Sequence, residues 1–312
     1  MRREVFTQGA LGAMLVMLLS VLLNASTSTF APRRAFALEH FQDRLYAIGG
    51  WNGQATQLDL VETISDSLQG KWIAAPPLIY ARSQHTAVAA TDRLFVLGGW
   101  SADMGLVSAV EVFDGNVWST VTHLPTPRRE PAAAILQNKI VIAGGFNGRN
   151  DSEVEGYSEV VEAYDWKLNQ WQRLASLQHP RRGLTMVNVG DRLYAIGGYT
   201  LEDGFINVVE RYDPLANMWE TLTWKIAPRT WAASVVVDDS ILIIGGYNGE
   251  GFLNLVERID PRTGAICYPP RLRHPRSWLG ATALKNGIVT LGGEDKTGMV
   301  GTMEMINPNC LK

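Results

Sequence analysis

The 312-residue chain carries 28 Lys and Arg against 31 Asp and Glu, a formal charge of −3, and has no basic run. That balance excludes a nucleic-acid partner held by phosphate neutralisation. Apolar residues make up 46% of the chain, and its 30 Gly and 14 Pro suit many short strands and tight turns better than long helices.

Met1-Arg2-Arg3 forms a basic head, residues 9–23 run almost without charge, and Asn24-Ala25-Ser26-Thr27 is a small polar exit. This is the pattern of an export signal removed near Ala25, and the Arg pair also fits a twin-arginine signal. A run of fifteen residues falls short of the roughly 20 that span a bilayer as a helix, so a retained anchor is the alternative. Ala35-Phe36-Ala37 would also satisfy a cleavage pattern. However, Pro32 stands the same distance before Gly49 as Pro127, Pro180, Pro228 and Pro275 stand before their own Gly pairs, so a cut there would destroy the first repeat. The expected division is a leader or anchor over residues 1–25 and one domain over 26–312. The expected location is exported, periplasmic or extracellular, with membrane attachment only through residues 9–23 if they are retained.

From residue 32 onward one pattern repeats. A Pro-Arg or its equivalent leads into an apolar run, and a second run ends in Gly-Gly. The pairs are Gly49-Gly50, Gly98-Gly99, Gly144-Gly145, Gly197-Gly198, Gly245-Gly246 and Gly292-Gly293. An aromatic follows five of the six pairs: Trp51, Trp100, Phe146, Tyr199 and Tyr247, with Glu294 in the sixth. A third run carries Glu62, Glu111, Glu162, Glu210, Glu257 or Glu304, and four modules add Trp72, Trp118, Trp171 or Trp219 on a fourth run. Two-residue turns and period-2 apolar runs read as four short strands, A to D, in each module. One such unit cannot bury both faces alone, which is why copies must stack.

This order of double Gly, Glu and Trp at a period near fifty resembles the kelch repeat, and the resemblance covers nearly the whole chain after residue 31. It implies an all-β fold, a six-bladed kelch-type β-propeller with four-stranded antiparallel blades set around a channel. The A strands are expected at 35–40, 84–89, 132–136, 184–189, 231–237 and 278–284, rich in small residues where inner strands converge. The repeated Trp is expected to fill the space between blades. Blade 6 ends without room for a strand D, and residues 26–30 occupy the register of one. They are expected to pair with residues 302–306 and close the ring.

Antiparallel order puts the D-to-A and B-to-C connections at one end. That end then collects Arg33, Arg82, Arg128, Arg181, Arg229 and Arg276, one per blade, together with Trp51, Trp100, Tyr199 and Tyr247. Trp231 and Trp278 join them, departing from the small-residue habit of their position. Guanidinium forks suit carboxylates, and flat rings suit sugars or peptide side chains. In kelch propellers that bind acidic peptides, the resemblance implies that arginines at this position reach the ligand. The competing reading is that they pin the repeat junctions. Nearby acids (Glu130, Asp103, Glu202, Glu294) would neutralise part of the ring.

The five histidines have no metal-ligand spacing, and no nucleophile motif, P-loop or dinucleotide fingerprint occurs. The insertion after Phe146, over residues 149–157, lacks the order of a calcium loop. No metal and no cofactor are expected. Cys267 and Cys310 are too few for a disulfide framework; they either pair or remain two partly buried thiols. The expected function is an exported, non-enzymatic binding protein for a protein, peptide or glycan, with an anionic ligand suiting the arginines. The alternative is a sugar mutarotase or epimerase, because the resemblance extends to bacterial kelch propellers that interconvert the anomers of N-acetylneuraminate.

Overall fold

A computed structural model of the protein describes residues 30–149 and 153–310. Six antiparallel sheets follow one another along the chain and stand around an axis. Blade 1 runs Ala37–Phe41, Arg44–Ile48, Val61–Ser65 and Ile73–Ala75, each strand pairing with the next. Blades 2 to 5 repeat this order, with inner strands at Thr86–Ala89, Ala132–Leu136, Thr185–Val189 and Ala233–Val237. Blade 6 has Gly280–Leu284, Gly287–Leu291 and Met303–Ile306 among the described residues. Strands A and B are joined by tight turns. At Gln42-Asp43, Gln137-Asn138 and Asp238-Asp239 both central residues have positive φ, the mirror-image turn whose twist matches the flanking strands.

The core is not one cluster but six, one at each blade junction. Between blades 1 and 2, for example, Phe41, Tyr46 and Ile48 meet Leu94, Phe113 and Trp118. The repeated Trp completes such junctions, as expected: Trp118 Nε1 donates to the Pro76 carbonyl (2.9 Å) and Trp219 Nε1 to the Ala175 carbonyl (3.0 Å), each on the preceding blade. Between the last blade and the first, Val289 and Leu291 pack with Leu38, Leu45, Ala47 and Trp72. The ring is therefore closed.

Two circles of backbone hydrogen bonds run around the axis. In the first, the N–H of each second Gly donates to the carbonyl of the next blade's repeat arginine. Gly50 bonds to Arg82, Gly99 to Arg128, Gly145 to Arg181, Gly198 to Arg229, Gly246 to Arg276, and Gly293 returns to Arg33, at 2.8–3.0 Å. In the second, Gln84 N–H donates to Ala35, Glu130 to Gln84, Gly183 to Glu130, Trp231 to Gly183, Trp278 to Trp231, and Ala35 back to Trp278. These six collar residues all have φ between +53 and +63. That is why strand A begins later than expected in blades 1, 2, 5 and 6, where the collar residue stood first in the expected strand: a left-handed residue cannot belong to a strand.

The double Gly follows from the same crowding. Gly197 has φ +61, and a Cβ on it would stand 2.7 Å from the Arg229 carbonyl oxygen of the next blade. A Cβ on Gly198 would stand 2.9 Å from the Arg182 carbonyl oxygen of its own blade. Only a residue without Cβ fits both places.

The leader and most of the expected closing strand, residues 1–29, lie outside the described residues. Phe30 is described and buried, against Phe36 and Trp72, with the Arg33 guanidinium 4.5 Å from its ring centre. At the other terminus the tail leaves blade 6 for blade 5. Arg258 donates to the Pro308 carbonyl (3.2 Å), and Cys310 is joined to Cys267, the last residue of blade 5's outer strand. The two cysteines thus form a disulfide.

That disulfide closes a loop across 43 residues, for which the chain-entropy account gives about 4 kcal/mol of stabilisation. Cys310→Ser, or reduction, is expected to lower the melting temperature by several degrees while leaving the far-ultraviolet circular dichroism at 20 °C unchanged. An unaltered melting temperature would show that the tail contributes nothing to ring stability.

Candidate functional site

Isolated bridges join Arg34 to Trp51, Ser83 to Trp100, Arg129 to Phe146, Arg182 to Tyr199, Thr230 to Tyr247 and Ser277 to Glu294. The D-to-A and B-to-C connections therefore share one end of the propeller, as their antiparallel order requires. What that end presents differs from the expectation.

The six repeat arginines do not line the mouth. Arg33, Arg82, Arg128, Arg181, Arg229 and Arg276 are all fully buried, at 0–1% exposure. Each pairs with the repeat Glu of its own blade. Arg82 Nη2 donates to Glu111 at 2.7 Å and Arg128 Nη2 to Glu162 at 2.6 Å, and the same pairing joins Arg33 to Glu62, Arg181 to Glu210, Arg229 to Glu257 and Arg276 to Glu304. The remaining donors reach carbonyls, as Arg82 Nη1 does with Gly98 and Ala109. The glutamates in turn accept backbone N–H groups of the incoming loop, such as Ile79 (2.6 Å) on Glu111 and Gln178 (2.7 Å) on Glu210. Burial draws all six guanidiniums below the usual arginine range, against the raising effect of the paired carboxylate, and Arg128 comes down to about 10. These pairs hold the loops; their guanidiniums are closed to a ligand.

The surface arginines are the next residues along, on three blades. Arg34 stands 4.7 Å over the Trp51 ring and pairs with Glu294. Arg129 lies 5.0 Å over Phe146. Arg182 lies over Phe146, Tyr157 and Tyr199 at 5.2, 5.4 and 5.7 Å, with Glu130 3.6 Å away.

Four of the six aromatic candidates come together. Trp278 stacks on Trp231 (4.6 Å between ring centres), Trp231 on Tyr247 (6.2 Å), Tyr247 meets Phe205 (5.5 Å), and Phe205 meets Tyr199 (5.0 Å). Tyr199 continues to Tyr157 (6.0 Å) and Tyr157 to Phe146 (5.1 Å), while Phe252 packs on Tyr247. The result is an unbroken arc of rings over blades 3 to 6. Trp51 and Trp100, both half-buried on blades 1 and 2, have no ring contact with it among the described residues. Phe205 and Phe252 escaped the sequence reading because they follow the loop tips, off the repeat positions, and Tyr157 entered it only as the end of the insertion over residues 149–157.

At the mouth the collar residues bring their side chains together. Trp231 Nε1 donates to Glu130 Oε2 across the axis (2.8 Å), and Gln84 Nε2 to Glu130 Oε1 (3.3 Å). Beside them is a cavity of about 110 Å³, lined in part by Trp278, Ala35 and His85. His85 is buried, and burial, with help from Arg82 and Arg33, pushes its imidazole down to about 3.

Comparisons with known proteins agree with this architecture. The family model described as the KLHDC2/KLHL20/DRC7 Kelch-repeats domain matches residues 84–293, and a Kelch motif matches residues 32–79. Kelch-like protein 41a of Danio rerio is 26% identical over 176 residues, 55% of this chain and 28% of that protein. Alpha-scruin of Limulus polyphemus is 26% identical over 188 residues, 58% of this chain and 20% of that protein. Kelch-like protein 40 of Xenopus tropicalis is 28% identical over 172 residues, 54% and 27% respectively. The matches thus span between a fifth and three tenths of those relatives' length. The solved structure of YjhT superposes with a TM-score of 0.76 at 17% identity, over 90% of this chain and 97% of that one.

Two outcomes follow from the buried charges. Arg82→Met is expected to cost about 3–5 kcal/mol by leaving Glu111 buried without its partner. Arg82→Met with Glu111→Leu should be far milder in urea unfolding, and a double variant as unstable as the sum would rule out pairing as the arginine's role. For His85 the folded value lies below the unfolded 6.5, so its contribution is whole above pH 6.5 and is lost as pH falls toward about 3. His85→Leu should flatten the stability profile across that window.

Proposed function

The chain belongs to the kelch-repeat family, and on that premise we propose that it is an exported binding protein whose aromatic face receives a protein or peptide partner. The observation that carries this reading is the ring arc. Trp231, Trp278, Tyr199 and Tyr247, with Phe205 and Phe252, are all partly exposed side by side. Rings of this kind supply large contact area at low entropic cost and dominate interface energetics. Trp51 and Trp100 extend the same face toward blades 1 and 2. Acidic groups on the partner would compete with Glu294 and Glu130 for Arg34 and Arg182. The buried arginines contribute by holding the loops that carry the rings.

Export is supported by the basic head and apolar run of the sequence, and by the Cys267–Cys310 disulfide, which persists in oxidising compartments. A carbohydrate ligand is the second reading. It is favoured by the flat Trp231–Trp278 stack standing beside the Glu130 carboxylate and the Gln84 amide, a pairing of ring face and hydrogen-bonding groups that suits a sugar. In that reading the mutarotase activity would use acid and base groups at the mouth.

The test is crosslinking of the tagged protein in its native cells, with capture measured for variants. Trp231→Ala with Trp278→Ala should reduce capture tenfold or more while the protein remains folded at the assay temperature by circular dichroism. Leu215→Ala, at the other end of the propeller, should leave it intact. Capture that survives the first change and falls with the second would place the interface on the opposite face. Acceleration of N-acetylneuraminate anomer exchange by the purified protein, followed by NMR, would replace the binding reading with the enzymatic one.

A further inference from the structure

Below the collar the axis opens into a channel of about 450 Å³, walled by the inner strands of all six blades. Its size falls within the range of small-molecule sites, and its lining is mainly Ala and Val with a few polar groups. Six residues after each repeat arginine, five blades place Val88, Ala134, Val187, Val235 and Thr282. Blade 1 places Glu39 there.

Glu39 is the only carboxylate among the lining residues, and no Lys or Arg lines the channel. Its carboxyl is near the backbone of Ala89 on the inner strand of blade 2, whose N–H favours the charged form against burial. The remaining exposure of Glu39 is to the channel. His40, the other titratable lining residue, faces Asp66 at 3.4 Å. Nothing in the propeller's packing requires an acid at this level, since the other five blades do without one.

We infer that the axial channel is a binding site for a linear aliphatic monoamine, whose ammonium pairs with Glu39 and whose alkyl chain lies along the small apolar wall. A channel walled mainly by Ala and Val admits an unbranched chain along that wall. A single carboxylate matches a single positive charge, and a second ammonium would be left without a partner in an apolar wall. Access is from the end carrying the A-to-B turns, because at the other end Trp231 and Glu130 meet across the mouth. The site is separate from the aromatic face and independent of what binds there.

Burial pushes the Glu39 carboxyl up to about 8, against the Ala89 hydrogen bond. The empty channel at pH 7 therefore holds it mostly protonated, and pairing with an ammonium displaces that proton. Folded above unfolded, Glu39 contributes stability below pH 4.5 that is lost as pH rises through about 8.

The experiment is calorimetric titration of the whole protein with n-butylammonium at pH 7, in two buffers of different ionisation enthalpy. Saturable binding with release of a substantial part of a proton is expected, because a carboxyl raised above the working pH must give up its proton to pair with the ammonium. Glu39→Gln keeps an acceptor for Ala89, should melt no lower than the parent, and should bind at least tenfold more weakly. 1-Butanol should not bind, and 1,4-diaminobutane should bind more weakly than n-butylammonium. Equal binding of the alcohol, unchanged affinity in Glu39→Gln, absence of proton release, or no binding of the monoamine by the parent would each overturn the assignment.

Discussion

Everything in this ring depends on what one arginine per blade does with its two ends. Its carbonyl accepts the N–H of the preceding blade's second glycine, so its main chain belongs to the junction. Its guanidinium turns into its own blade and meets the glutamate of the third strand, so its side chain belongs to the sheet. The glutamate, by accepting N–H groups of the loop that delivered the arginine, fixes that loop in turn. A buried ion pair is weak evidence for stability when compared with an apolar replacement, but it is costly to break from one side. Six such pairs therefore act as a register device: a blade shifted by one residue would leave two charges unpartnered.

The double glycine, the arginine and the glutamate are thus one structural unit read at three places in the sequence. The fold was legible because that unit recurs six times and because strand periodicity needs no tertiary knowledge. The arginines were misplaced because sequence order gives the end of the blade on which a residue lies, and not whether its side chain turns outward. A signal was present. Arginine and glutamate stand 29 residues apart in blades 1, 2 and 4, and 28 apart in blades 5 and 6, with only the insertion in blade 3 stretching the interval to 34. Opposite charges recurring at a fixed separation are partners before they are ligands' contacts.

The aromatic arc was half legible. Trp231 and Trp278 stood out because they break the habit of small residues at their position, and Tyr199 and Tyr247 because they follow the glycines. Phe205, Phe252 and Tyr157 lie beyond loop tips of unequal length, where no repeat register points to them. Their convergence is produced by short two-stranded extensions, such as Tyr199 paired with Phe205, and by bridges such as Tyr247 with Phe252. The cysteines could not be settled from spacing, since the tail's crossing from blade 6 to blade 5 departs from the repeat.

The collar has a consequence for how such a protein can change. Its six residues are closed into a circle by main-chain hydrogen bonds, so the mechanical demand on each is a left-handed backbone and an N–H. Their side chains are left over: alanine, glutamine, glutamate, glycine and two tryptophans fill six equivalent slots around one opening. The mouth is in effect a six-character tag written on a main-chain frame. A change of side chain there leaves the main-chain circle in place, so the chemistry at the centre of the face is set apart from the ring beneath it.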